Sequence, residues 1–218
     1  MQLASAVRSA VVASLAIVSF AGLQAMPALA DVLFDGSFPL EQVDDIGFND
    51  PDAGGQRLAE DFQVTSLSTM TGVRFVGGYY PSNTPQDDSF TLTILGDAAG
   101  LPDPSNVIAE LPLTVERNDT GVFALGVRLY SYAAQFSGVP LEGNTPYWFL
   151  IVNDTSNDPN DDWVWAGGHQ GGVYARSFDG GLSWVDTVAG NFDFQVLGDQ
   201  GPTAVESSSW GRVKALYR

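Results

Sequence analysis

The chain of 218 residues contains no cysteine and a single histidine, His169. Without cysteine there are no disulfides, thiolate nucleophiles, cysteine-ligated zinc, iron–sulfur clusters or lipobox-type lipid anchor. One histidine excludes a multi-histidine metal centre and leaves His169 as the only base for a Ser-His-Asp triad. No G-x-S-x-G nucleophile elbow accompanies it. Positive charge is scarce: nine Lys and Arg stand against 26 Asp and Glu, a net charge of -17. So acidic a chain repels nucleic acid phosphates and anionic headgroups, and nucleic acid is not an expected partner. A hydrophobic content of 44% excludes a disordered acidic tail.

Long apolar runs are also lacking, with one exception. Residues 1–30 read as an export signal: Arg8, an apolar run from Ala10 to Leu23, the helix breaker Pro27, and Ala28-Leu29-Ala30 as a small-x-small cleavage site. The apolar run is short for a membrane span of roughly 20 residues. Cleavage after Ala30 starts the mature chain at Asp31 and leaves no second run long enough to cross a bilayer. The expected location is outside the cell or at its surface. A domain of this size can stay folded there without disulfides.

What remains is rich in Val, Phe, Thr, Tyr, Leu and Ile in period-two alternation, bounded by Gly, Pro, Asn and Asp. The pattern predicts strands at Leu58–Val64, Thr69–Tyr79, Ser89–Gly96, Asn106–Arg117, Gly121–Ser131, Tyr147–Asn153, Trp163–Ala166, Gly172–Phe178 and Phe192–Leu197. In the third of these, Phe90, Leu92 and Ile94 share one face while Ser89, Thr91 and Thr93 share the other. The expected fold is all-β, a single antiparallel β-sandwich or jelly-roll-like domain over residues 31–200, followed by a short tail, 201–218. No internal repeat suggests a propeller or solenoid.

Several segments then resemble a known family. They are Ala59-Glu-Asp-Phe-Gln-Val64, Thr71-Gly-Val-Arg-Phe-Val-Gly-Gly-Tyr-Tyr80, Asp88-Ser-Phe-Thr-Leu-Thr-Ile94, Ala98-Ala-Gly-Leu-Pro102, Thr145-Pro-Tyr-Trp-Phe-Leu-Ile151 and Asp193-Phe-Gln-Val196. Together they look like a β-sandwich domain of exported bacterial proteins, including many with a PEP-CTERM sorting tail. The resemblance covers most of residues 57–198 and implies a fold and export rather than an activity. The sequence departs from that family at its C-terminal end: the Pro-Glu-Pro motif, the membrane helix and the arginine cluster of the PEP-CTERM anchor are absent. The segment Trp210-Gly-Arg-Val-Lys-Ala-Leu-Tyr-Arg218 instead resembles a short terminal segment of other exported bacterial proteins.

Four groups of residues are candidate sites. Ser177-Phe-Asp-Gly-Gly-Leu-Ser-Trp184 fits the Asp-box pattern S-x-D-x-G-x-[ST]-W, in which Ser177, Asp179, Gly181 and Trp184 hold a tight turn. A sialidase would carry several such boxes and clustered Arg; one box reads as structural. The loop Asn153–Asp162 is the best calcium candidate, with Asp154, Asp158, Asp161 and Asp162 as oxygen ligands, although it lacks the EF-hand Gly and Glu. The loop Asp44–Gly55, with Asp44, Asp45, Asp50 and Asp52, is a weaker one, and the two loops have the composition to share an ion. The alternative for both is a solvated acidic turn.

Trp163 and Trp165 lie two apart and so share a strand face. With His169 and Gln170 they would form a glycan-binding platform, or else sit in the core between the sheets. In the tail, Trp210, Val213 and Tyr217 follow helical spacing, with Arg212, Lys214 and Arg218 elsewhere around the turn, as in a recognition segment for a partner. The expected function is a non-enzymatic surface or extracellular module that binds a glycan or a surface protein, or serves structurally. The alternatives are a calcium-dependent carbohydrate-binding module and a secreted glycosidase, which needs only two carboxylates; with 26 acids a pair at suitable distance is expected by chance and is no evidence for one.

Overall fold

The computed structural model describes residues 30–36, 43–81, 88–157 and 161–201. The export signal, Asp158 and the tail with Trp210, Val213 and Tyr217 lie outside the described residues, as do the side chains of His169 and Gln170. The described chain is all strand and loop. In order the strands are β1 Asp31–Gly36, β2 Asp45–Phe48, β3 Arg57–Gln63, β4 Ser68–Pro81, β5 Phe90–Asp97 and β6 Pro102–Leu113. They continue as β7 Val115–Ala124, β8 Val127–Leu141, β9 Pro146–Asn153, β10 Asp161–Ser177, β11 Asp186–Phe192 and β12 Phe194–Gln200. No helix among the described residues is long and apolar enough to cross a membrane.

Antiparallel pairing links all the strands into one continuous sheet folded into a sandwich. One half runs β7–β8–β4, with β12–β1 along the first part of β4 and β10–β2 along its last part. The other half runs β6–β5–β9–β3, followed by the C-terminal part of β10 and then β11. β10 belongs to both halves: 161–165 pair with β4 and 174–177 pair with β3. The change of partner falls on Gly167-Gly-His-Gln-Gly-Gly172, where the register against β11 slips twice. Glycine tolerates the crowding there, since a Cβ on Gly167 would strike the Asn191 backbone.

Alternation decides which side chains enter the space between the halves. Phe90, Leu92 and Ile94 are buried in the core, as their spacing predicts, and Thr91 and Thr93 face outward. Phe75, Phe90 and Tyr132 surround Trp163, with the Phe90 ring centroid 5.1 Å from the indole. Phe149, Phe192 and Phe194 surround Trp165. Two smaller apolar clusters lie apart from this core: Ala59, Leu95, Trp148, Leu150, Ala175 and Trp184 form one, and Val76, Val127, Leu129, Val164 and Ala166 the other.

The structure corrects several sequence-derived boundaries. Asn106–Arg117 is not one strand, since β6 ends at Leu113 and β7 begins at Val115. Gly121–Ser131 is not one strand but the hairpin of β7 and β8, turning at Leu125 and Gly126, both at positive φ (52° and 85°). Leucine is disfavoured there, which hides the turn. The segments Trp163–Ala166 and Gly172–Phe178 are one strand, because the glycines between them stay extended enough to remain in β10. β11 reads as a loop in sequence because Thr187 through Asn191 carry little apolar alternation.

Candidate functional site

The two acidic loops meet at one end of the sandwich, in the stretch from Asn49 to Arg57 and at Asn153–Ser156. Asn49 supplies its carboxamide as a strand would: its oxygen accepts from the Leu58 amide at 2.6 Å and its nitrogen donates to the Leu58 carbonyl at 2.9 Å. The Asn153 amide donates to the Asn49 carbonyl at 3.1 Å. The Asn153 side chain accepts from the Ser89 amide at 2.7 Å and donates to the Tyr79 hydroxyl at 3.0 Å. Tyr79 in turn donates to Asp88, which pairs with Arg117 at 2.8 Å.

Asp50, fully buried, is the centre of this junction. One carboxylate oxygen accepts from the Trp163 amide at 2.9 Å and the Thr155 hydroxyl at 2.6 Å; the other accepts from the Asp52 amide at 3.1 Å. Arg57 donates to the carbonyls of Asp50 at 2.9 Å and Gln56 at 2.6 Å. The Ser156 hydroxyl reaches Asp52 at 3.2 Å and also Asp154. Those serine hydrogen bonds hold the Asp154 carboxyl below its usual range. Burial, then the charges of Asp50, Asp52 and Asp161, push the Asp162 carboxyl up. Burial pushes the Arg57 guanidinium down, against the pull of Asp50 and Asp154.

Among the described members of the calcium constellation, Asp154, Asp161 and Asp162 are not brought together. Asp161 and Asp162 lie inside β10, paired opposite Pro81 and Tyr80, rather than in the loop with Asp154. Successive strand residues point to opposite faces, so these two do not converge. Among the described residues, no group of three or more His, Cys, Asp or Glu side chains is arranged to hold a metal ion. In the first loop, the Asp50 oxygens are occupied by protein donors, and the Asp45 carboxylate accepts from the Ile46 amide at 2.9 Å.

The glycan platform is also corrected. Trp163 and Trp165 do share a face, but it is the inward one, and both side chains are wholly buried. Large aromatics fill a sandwich core, and these two are its largest residues. The backbone of His169 pairs with Asn191.

The Asp-box forms a closed turn. The Ser177 hydroxyl donates to Asp179 at 2.7 Å and accepts from the Gly181 amide at 2.9 Å. Asp179 accepts from the Ser183 amide at 2.9 Å, and the Ser183 hydroxyl also donates to it. These bonds pull the Asp179 carboxyl down to about 2, the Ser183 hydroxyl contributing most. Gly181 takes φ of 93°, which a side chain would resist. Trp184 packs against the Trp148 and Leu150 cluster, and the Gly180 amide donates to the Gly55 carbonyl at 2.9 Å, tying the turn to the first acidic loop.

Sequence reasoning missed Asn49, Asn153 and Arg57, which organise the junction. It also missed Glu60, whose side chain is buried among core residues of β3 with one carboxyl oxygen that accepts no hydrogen bond. Alternation carried a usable signal there, since Glu60 sits between Leu58 and Phe62 on the inward face.

Fold and junction together define a class, the all-β antiparallel sandwich with loops latched at one end. Compared with known proteins, the chain matches no family model, no curated protein and no solved structure.

Proposed function

We propose that the protein is an exported, non-enzymatic β-sandwich module that acts outside the cytoplasm as a binding or structural unit. The observation that carries this reading is the use made of Asp50: the most buried acid of the acidic loops binds three protein donors and locks two loops together. The polar residues of the Asp-box are spent in the same way on their own turn. Chemistry of this kind builds a rigid scaffold without disulfides, which suits an exported chain that has no cysteine. The leader-like segment 1–30 and the resemblance to sandwich domains of exported bacterial proteins support the same reading. Strong negative charge keeps such a scaffold soluble and away from nucleic acid and anionic lipid.

Export is tested by expressing the full chain in a bacterial host, fractionating the cells and determining the N-terminus of the product by mass spectrometry. The expected product begins at Asp31 and lies outside the cytoplasm. An intact chain retained in the cytoplasm would overturn the proposal.

A further inference from the structure

Two Asn-x-Thr acceptor sequences for N-linked glycans occur in the chain, and both read Asn-Asp-Thr: Asn118–Thr120 within β7 and Asn153–Thr155 at the end of β9. The fold treats them in opposite ways. Asn153 is fully buried, and its carboxamide is committed to the Ser89 amide and the Tyr79 hydroxyl, while Thr155 is bonded to Asp50. No sugar fits on that nitrogen in the folded protein. Asn118 is exposed. Its nitrogen makes a weak contact with Glu116 at 3.4 Å, on the same outward face of β7.

The residue two places before each asparagine separates them again. Bacterial acceptors carry an acid at that place, which meets a cation of the transferase. Glu116 fills it before Asn118, whereas Ile151 stands before Asn153. The position in the sheet agrees. Among the described residues β7 pairs with β8 alone, so its other side is an edge. β6, at the edge of the other half, carries Pro102, Pro104 and Pro112, which hinder pairing with another chain. β7 has no proline. A bulge interrupts its register between Asp119 and Phe123, but residues 115–119 run in regular register and leave an open edge. Phe123, 66% exposed, and Leu125 follow toward the hairpin tip. A sugar chain on Asn118 covers this edge with hydrated surface.

We propose that Asn118 is the acceptor of an N-linked oligosaccharide, transferred outside the cytoplasm from a polyprenyl diphosphate carrier. The inference rests on the reading of the protein as exported. In the transfer, the anomeric carbon–oxygen bond to the diphosphate breaks, and an anomeric carbon–nitrogen bond to Nδ2 of Asn118 forms. Polyprenyl diphosphate departs as the leaving group, and one amide proton passes to a carboxylate of the transferase. The transferase also reads the threonine hydroxyl, which in the fold donates from Thr120 to the Leu129 carbonyl at 2.7 Å. Transfer therefore precedes closure of the β7–β8 hairpin, and closure leaves Asn118 and its glycan outside.

The test expresses the chain in a bacterial host that supplies an oligosaccharyltransferase and its polyprenyl-diphosphate-linked oligosaccharide. The full chain is run beside residues 31–218 placed behind a leader that the host already exports. Mass spectrometry of the intact product and of its peptides should show one glycan, on the peptide that holds Asn118. Asn118→Gln should remove it, and Glu116→Gln should remove most of it. Both side chains are exposed, so neither change should move the melting temperature by more than a few degrees. An exported 31–218 product without glycan, in cells that glycosylate a control acceptor, would overturn the proposal, as would a glycan on Asn153 in place of Asn118. A glycosylated 31–218 product beside a full chain retained in the cytoplasm would support Asn118 while removing the export reading of residues 1–30, so the two fail separately.

Discussion

The Asp50 carboxylate accepts the backbone amide of Trp163 at 2.9 Å, joining the loop that leads into β3 to the start of β10. The same oxygen accepts the Thr155 hydroxyl, so one buried atom holds two distant stretches of chain to each other. Replacing Asp50 by Ala orphans a buried amide and a buried hydroxyl. The expected loss is about 2–4 kcal/mol, read as a lower urea midpoint with unchanged slope. Thr155→Val removes one donor and should cost less than half as much. A neutral Asp50→Ala variant would show that the junction is not held by this carboxylate.

The two core tryptophans differ in one respect that a pair of variants exposes. Trp165 donates from Nε1 to the Asp193 carbonyl at 3.2 Å, whereas Trp163 Nε1 makes no hydrogen bond of good geometry and has only a weak polar contact with the Tyr132 hydroxyl. Phenylalanine at 165 therefore costs packing plus a well-formed hydrogen bond, and at 163 packing plus only a weak polar contact. Trp165→Phe should be the more destabilising by about 1 kcal/mol in denaturant titrations. Alanine at either position should cost about 3–5 kcal/mol, the usual penalty for emptying an aromatic site.

Glu60 sets a dependence on alkaline pH. Burial, with smaller contributions from Asp61 and Asp193, pushes its carboxyl well above its ordinary value of 4.5, against one opposing hydrogen bond from the Phe192 amide. The folded state thus holds a proton that the unfolded state releases. Its stabilisation is complete below pH 4.5 and is lost as pH rises through the higher folded value. Glu60→Gln removes this dependence, and melting temperatures from pH 5 to 9 should fall less steeply than for the parent. Parallel curves would show that Glu60 does not titrate in the folded protein.

Asp179 acts in the opposite direction. Its carboxyl is depressed to about 2, so its contribution is present above the ordinary value of 3.8 and is lost as pH falls through the folded one. Carbon-detected NMR should show Asp179 titrating near the bottom of the acid range, with the Ser183 amide shifting in step. In Asp179→Ala the Ser183 amide should lose its protection from exchange at neutral pH.

Much of the sandwich was legible because alternation reports burial directly: Phe90, Leu92 and Ile94 enter the core and their threonine neighbours do not. The Leu125–Gly126 turn was hidden because a leucine occupies a left-handed position that sequence assigns to Gly or Asn. The glycines of β10 read as a bend although the chain runs through them as strand. The site was less legible for a different reason. An Asp in a turn-rich loop looks the same whether its oxygens face water, an ion or backbone amides, and only the partner 113 residues away distinguishes them. Asn49 and Asn153 are similarly silent, since their work is done by carboxamides that imitate backbone.

β10 is a structural member of both halves of the sandwich, so neither half has a complete set of neighbours without it. Under mechanical load there is then no interface along which the halves can be parted while each stays intact. Pulling on either should unravel both in a single force peak rather than two.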